Sequence, residues 1–128
     1  MALIIEVDDL SWSKLFEREG MPIVVMFYSP TCSHCRKMEP YFNEYAIKFK
    51  GKVISARANV MNAFYVVKKY GIMSTPTFKF FCDAKPVEEL VGAIYPPLLK
   101  KAIEDVLKYG KECAEKSTFI GHDITGYV

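Results

Sequence analysis

The chain has 128 residues, 51% of them hydrophobic and 25% charged, which is enough for one domain with its own core and too balanced for a disordered chain or a membrane protein. Its 17 Lys and Arg against 15 Asp and Glu leave a formal net charge of +2 with no block of like charges, so the charge pattern does not point to nucleic acid or acidic lipid. The apolar start, Leu3 to Val7, lacks a cationic flank and is too short for a signal peptide or a membrane span, which predicts a cytoplasmic protein.

Leu3 to Val7 reads as a strand, and Asp8 or Asp9 can cap a helix that carries Trp12, Leu15 and Phe16 and ends at Gly20. Met21 to Tyr28 contains an unbroken Ile-Val-Val-Met-Phe run, the profile of a central strand buried on both faces. From Ser33 to Lys50, Met38, Phe42, Tyr45 and Phe49 form one apolar helical stripe, with Pro40 predicting a kink and Gly51 the stop. Lys52 to Val60 is the next strand, with Ile54, Ala56, Ala58 and Val60 on one face and Ser55, Arg57 and Asn59 on the other. Asn62 opens a short helix bearing Ala63, Val66, Val67 and Tyr70 that stops at Gly71. Phe78 to Cys82 and Val87 to Val91 form a hairpin through Asp83-Ala84-Lys85-Pro86, and Gly92 breaks its second strand. Pro96-Pro97 then open a helix with apolar pairs every four residues up to Gly110.

This β-α-β-α-β-α-β-β-α order describes an α/β domain over residues 1–110, a central sheet with crossover helices on both faces and an antiparallel hairpin at its end. Residues 111–128 form a C-terminal extension whose second half, Phe119 to Val128, is apolar enough to pack on the domain or on a partner protomer.

The chemistry concentrates in Tyr28-Ser29-Pro30-Thr31-Cys32-Ser33-His34-Cys35, where a buried strand gives way to a helix. The first N–H groups of a helix have no intrahelical partners and favour an anion, and a thiolate is one. Two thiols at this spacing can close a disulfide across the first turn, so the pair is a candidate redox switch. Half of a zinc site is the competing reading, with His34, Cys82, Cys113 and His122 as further ligands, but none recurs at zinc-knuckle spacing. Cys82, at a strand end, reads as a buried structural thiol rather than a third redox centre, and Cys113 as a cysteine without a special role, with a Cys82–Cys113 or intermolecular bridge as its lesser alternative.

Three features coincide with this element order: Cys32-Ser33-His34-Cys35 after a buried strand, Ser74-Thr75-Pro76-Thr77 before the penultimate strand, and Gly92 after the last. Together they resemble the thioredoxin superfamily over about residues 2–109. The resemblance implies a thioredoxin fold, a three-layer α/β/α arrangement with a mixed five-stranded sheet and about four helices. It also implies that the bond before Pro76 is cis and lies beside the cysteines, and that Thr75 presents its backbone to an extended substrate, with Thr31 and Tyr28 nearby. The activity implied is thiol-disulfide exchange with protein substrates through Cys32 and Cys35, with no bound cofactor or metal and with a thioredoxin-reductase-type or glutathione electron donor. A monomer or a tail-mediated dimer is expected.

Departures from the family pattern bear on redox tuning. Thr31 stands where Trp is usual, and Ser33-His34 replaces Gly-Pro. His34 resembles the residue found in disulfide isomerases and oxidants of the superfamily, where a positive charge or donor beside Cys32 favours the thiolate and makes the pair more oxidising. Met26 stands six residues before Cys32 where a buried carboxylate is common, and Arg57 takes the place of its usual lysine partner. Arg57 either lies under the site and favours the thiolates further, or reaches solvent, Glu39 or Glu44. A redox-inert binding module that presents Tyr28, Thr75 and the apolar tail is the alternative function, and the retained cysteine pair argues against it.

Overall fold

A computed structural model describes residues 3–17 and 20–109. Nine elements follow in chain order: β1 (Ile4–Val7), α1 (Trp12–Leu15), β2 (Ile23–Tyr28), α2 (Ser33–Lys48), β3 (Ile54–Asn59), α3 (Phe64–Tyr70), β4 (Thr77–Cys82), β5 (Lys85–Val91) and α4 (Pro96–Lys108). The five strands form one sheet in the order β1-β3-β2-β4-β5, parallel across β1, β3 and β2 and antiparallel at β4 and β5. This is the thioredoxin fold, and it agrees with the element order read from the sequence.

The central strand β2 is buried at every position from Ile23 to Phe27, because both of its faces are covered. Val24 and Met26 point to the side of α2 and α4, where they join Met38, Phe42, Phe78, Leu99 and Ile103 in one buried cluster. Ile23, Val25 and Phe27 face α1 and α3, with Trp12, Leu15, Ala63, Val66 and Phe81 in a second cluster. The two-residue period of β2 therefore divides the core into two halves, and the strand is held from both sides. On the first side Tyr45 of α2 donates its hydroxyl to the Pro96 carbonyl at the start of α4, 3.3 Å away, and burial of the ring raises the Tyr45 pKa above its ordinary value.

Four expectations need correction in their details. The first helix is a single turn that ends before Phe16, whose N–H reaches the Ser13 carbonyl in a tight three-residue turn, and it does not extend to Gly20. Neither aspartate caps this helix, since its N-cap is Ser11. Instead, the Asp8 carboxylate accepts from the Ser11 N–H and hydroxyl, both at 2.9 Å, and the Ser11 backbone bond leads the interactions that lower the Asp8 pKa. Asp9 caps α3 from across the fold, accepting from the N–H groups of Tyr65 and Val66 at 3.1 Å each. Asn62 is not the cap of α3, whose N-cap residue is Ala63. The second helix stops at Lys48, two residues before the expected end at Lys50, and Pro40 lies inside it. Gly71 ends α3 in the left-handed region at φ 65°, as read from the sequence. Gly110 and the extension 111–128, with Cys113 and His122, lie outside the described residues.

No described helix is long and apolar enough to cross a membrane. Phe42 is 1% exposed and packs edge-on against Phe78, so Phe42→Ala should lower unfolding free energy by about 3–5 kcal/mol in urea titrations. Asp9→Ala, which removes a cap supplied from outside α3, should cost about 1 kcal/mol in the same measurement.

Candidate active site

The chain leaves β2 at Tyr28, between β3 and β4, where the strand direction changes from parallel to antiparallel. Such a switch point leaves room at the carboxyl end of the central strands, and the loop from Ser29 to Thr31 occupies it. The loop is closed by its own bonds. The Cys32 N–H donates to the Ser29 carbonyl at 3.1 Å, and the Arg36 guanidinium donates to the Pro30 carbonyl at 3.1 Å. Thr31 is exposed, its hydroxyl 3.3 Å from that of Ser29.

Cys32 is the N-cap residue of α2, with extended backbone at φ −86° and ψ 111°. Its sulfur takes the place of the usual hydroxyl or carboxylate cap and accepts the Cys35 N–H at 3.1 Å. Cys32 and Cys35 form a disulfide, with Cα atoms 5.2 Å apart. Their exposure differs, since Cys32 is half-buried and Cys35, one turn inside the helix, is 3% exposed.

From the other side, the Thr75–Pro76 peptide bond is cis, and the Thr75 carbonyl oxygen lies 3.4 Å from Cys32 Sγ. Two bonds hold this loop in place. Gly92, at φ 95°, donates its N–H to the Pro76 carbonyl at 2.8 Å, and the Thr77 hydroxyl donates to the Ser74 carbonyl at 2.8 Å. Glycine adopts that φ without the penalty a Cβ would bring. Pro76 itself is buried, whereas Met73, just ahead of it, is 92% exposed.

The fold thus brings together Cys32, Cys35, Thr75 and Pro76, with Thr31 on the exposed rim. His34 is exposed as the second residue of α2. Tyr28 and Arg57 are drawn to a different group. The Tyr28 hydroxyl donates to Glu6 Oε2 at 2.7 Å, and Arg57 Nε donates to Glu6 Oε1 at 2.6 Å while its guanidinium stacks over the Tyr28 ring at 5.1 Å. A second carboxylate, Glu39 of α2, lies 3.8 Å from Arg57. Of the two placements open to Arg57, the structure adopts the one in which carboxylates compensate its charge, using Glu39 and not Glu44. Burial alone would lower the Arg57 pKa, but the Glu6 hydrogen bond and charge outweigh it and raise the pKa.

Glu6 escaped the sequence reading. Its signal was strand parity, because Glu6 and Arg57 are register partners on parallel neighbours and face the same side. Met26 is 1% exposed and sits in the apolar cluster on the α2 side, paired in register with Arg57 and Phe78. The position where a buried carboxylate would stand is therefore apolar. Among the described residues, no group of three or more His, Cys, Asp or Glu side chains is placed to hold a metal ion.

Residues 3–105 match the thioredoxin family. The chain belongs to the thioredoxin family. A chloroplastic M-type thioredoxin of Spinacia oleracea is 30% identical over 102 residues, covering 80% of this chain and 56% of that protein. Thioredoxin 1 of a Nostoc strain is 29% identical over 104 residues, which cover 81% of this chain and 97% of the relative. The chain thus spans little more than half the length of the chloroplastic relatives it matches. Among solved structures, oxidised mitochondrial thioredoxin 3 of Saccharomyces cerevisiae superposes with a TM-score of 0.71 over 80% of this chain and 94% of that one, at 22% identity, a likeness of fold.

The Glu6 cluster sets a pH dependence within this thioredoxin-family domain. Burial, reinforced by the bond to Glu6, pushes the Tyr28 phenol up to about 12 from its ordinary 10. The unfolded chain releases this proton first, so the contribution is intact below pH 10 and is lost as pH rises from 10 to about 12. Glu6→Gln should bring the Tyr28 titration part of the way back toward 10 in the ultraviolet phenolate band, with Tyr28→Phe identifying the signal.

Proposed function

We propose that the chain is a thiol-disulfide oxidoreductase that exchanges disulfides with protein substrates through Cys32 and Cys35. The observation that carries this reading is the capping of α2 by Cys32 sulfur, which places the half-buried cysteine against an N–H donor and the buried one directly behind it. The reduced pair acts in two displacements. Cys32, as thiolate, attacks one sulfur of a substrate disulfide, forms a mixed disulfide and expels the other sulfur as a thiolate that takes up a proton. Cys35 gives up its proton and attacks Cys32 sulfur, so the substrate leaves as a dithiol with two electrons and two protons gained and Cys32–Cys35 is left oxidised. A dithiol substrate runs the same steps in reverse.

An extended substrate docks its main chain beside Thr75 and Pro76, with Thr31 and the exposed Met73 at the rim of the site. No cofactor takes part, and a thioredoxin-reductase-type or glutathione donor restores the dithiol in a reducing compartment such as the cytoplasm. With Met26 in place of a carboxylate, Cys35 must pass its proton to water or to the departing thiolate. Redox tuning then falls to the start of α2, where His34 adds a positive charge or a donor beside the thiolate and makes the pair more oxidising than a Gly-Pro thioredoxin.

Two measurements test this. Cys32→Ser should abolish insulin disulfide reduction, and Cys35→Ser should accumulate a mixed disulfide with substrate. Absence of both turnover and trapped adduct would refute the oxidoreductase reading. His34→Pro should shift the equilibrium with glutathione toward the disulfide by on the order of tenfold, about 30 mV for a two-electron couple. No shift would remove His34 from the tuning of the pair.

A further inference from the structure

The sheet has two edges, β1 and β5, and they are guarded differently. At β5, Pro86 removes a donor, Glu88 and Glu89 set charge along the strand, the Glu88 carboxylate accepts the Glu89 N–H at 3.0 Å, and the pairing with β4 slips between Phe80 and Phe81. Each of these features discourages a further strand. The other edge, Ile4-Ile5-Glu6-Val7, has no proline and no lysine and keeps a regular register along β3. Its guard is its shortness. Successive residues of a strand turn their N–H and C=O groups to opposite sides, so alternate residues of β1 present both groups outward. Among the described residues, no backbone bond reaches that outer side.

A groove of about 650 Å³ runs beside this edge, between β1 and α2. Leu3, Ile4, Ala46 and Ile47 wall it, and Glu6 and Arg57 line its polar part. Ile47 is 63% exposed, an apolar side chain in water on the outer wall. Ile4 and Glu6 are two residues apart and so share the face of β1 that borders α2. Glu6 and Glu39 share Arg57, which leaves this cluster with one negative charge in excess.

We propose that β1 is a docking edge for an extended, basic peptide segment of a partner protein, which adds to the sheet as a sixth strand. Its main chain pairs with the outward groups of β1, and alternate side chains turn toward α2. One of these, apolar, fills the groove beside Ile4, Ala46 and Ile47. A Lys or Arg two residues away meets the excess charge of Glu6 and Glu39. A second copy of this chain suits the edge less well, because its own β1 offers another Glu6 and no cation.

A cysteine-free probe takes disulfide exchange out of the test. The peptide acetyl-Thr-Lys-Thr-Leu-Thr-Lys-Thr-amide carries a cation on both sides of its leucine, so it fits in either strand direction. Titrated into the nitrogen-15-labelled full chain, it should give saturable amide shifts confined to Ile4–Val7 and residues 43–47. Replacing both of its lysines with glutamate should weaken binding by about fivefold or more. Ile47→Lys should abolish the shifts at the same peptide concentration while the thermal midpoint stays at the wild-type value. Absence of saturable shifts, shifts at residues 29–31 and 73–76 in place of β1, equal affinity for the two peptides, or unchanged binding by Ile47→Lys overturns the proposal. A wild-type dimer in sedimentation equilibrium that Ile47→Lys dissociates assigns the edge to a second copy and overturns it as well.

Discussion

The bond from the Cys35 N–H to Cys32 sulfur, 3.1 Å long, is the contact around which the site is built. A helix must satisfy its first N–H groups, and here a cysteine sulfur does so in place of a hydroxyl or carboxylate. One atom therefore serves both as helix cap and as half of the Cys32–Cys35 disulfide. Fixing that atom requires a rigid strand behind it, and β2 provides one, being enclosed by α2 and α4 on one face and by α1 and α3 on the other. It also requires a wall in front, which the Thr75–Pro76 loop supplies through the bond from Gly92 to the Pro76 carbonyl.

Charge is kept out of the apolar cluster on the α2 side of β2. Met26 and Phe78 fill the α2 side of the sheet there, while the one cation of the neighbouring strand is turned toward Glu6 and Glu39. Arg57 and its carboxylate partners are more than a third exposed, so this ion pair contributes at most about 1 kcal/mol to stability. It also anchors Tyr28 at the end of β2.

The sequence made the main frame readable because the frame depends on periodicity. The unbroken Ile23–Phe27 run signalled a doubly covered strand, and Met38, Phe42 and Tyr45 signalled the buried face of α2. The cysteines were legible for a similar reason, since a switch from strand to helix at Cys32 has a direct chemical meaning. Contacts between distant segments were not legible. Asp9 looked like the start of α1 and instead caps α3, 56 and 57 residues away, because a carboxylate in a loop serves whichever free N–H groups the fold brings to it. Glu6 gave no local sign of joining Tyr28 and Arg57, a contact that depends on the register of β1 against β3. The end of α1 was misread for a third reason: Phe16 and Glu17 close tight turns that use the same residues a longer helix would use.

The central claim is an asymmetry between an accessible, N-H-stabilised sulfur at Cys32 and a shielded one at Cys35. Timed alkylation of the fully reduced wild-type chain with iodoacetamide at neutral pH, quenched and mapped by peptide mass, measures it directly. The structure predicts that Cys32 is modified first and nearly alone, with Cys35 labelled only after denaturation. Equal labelling of the two cysteines, or faster labelling of Cys35, would contradict the account.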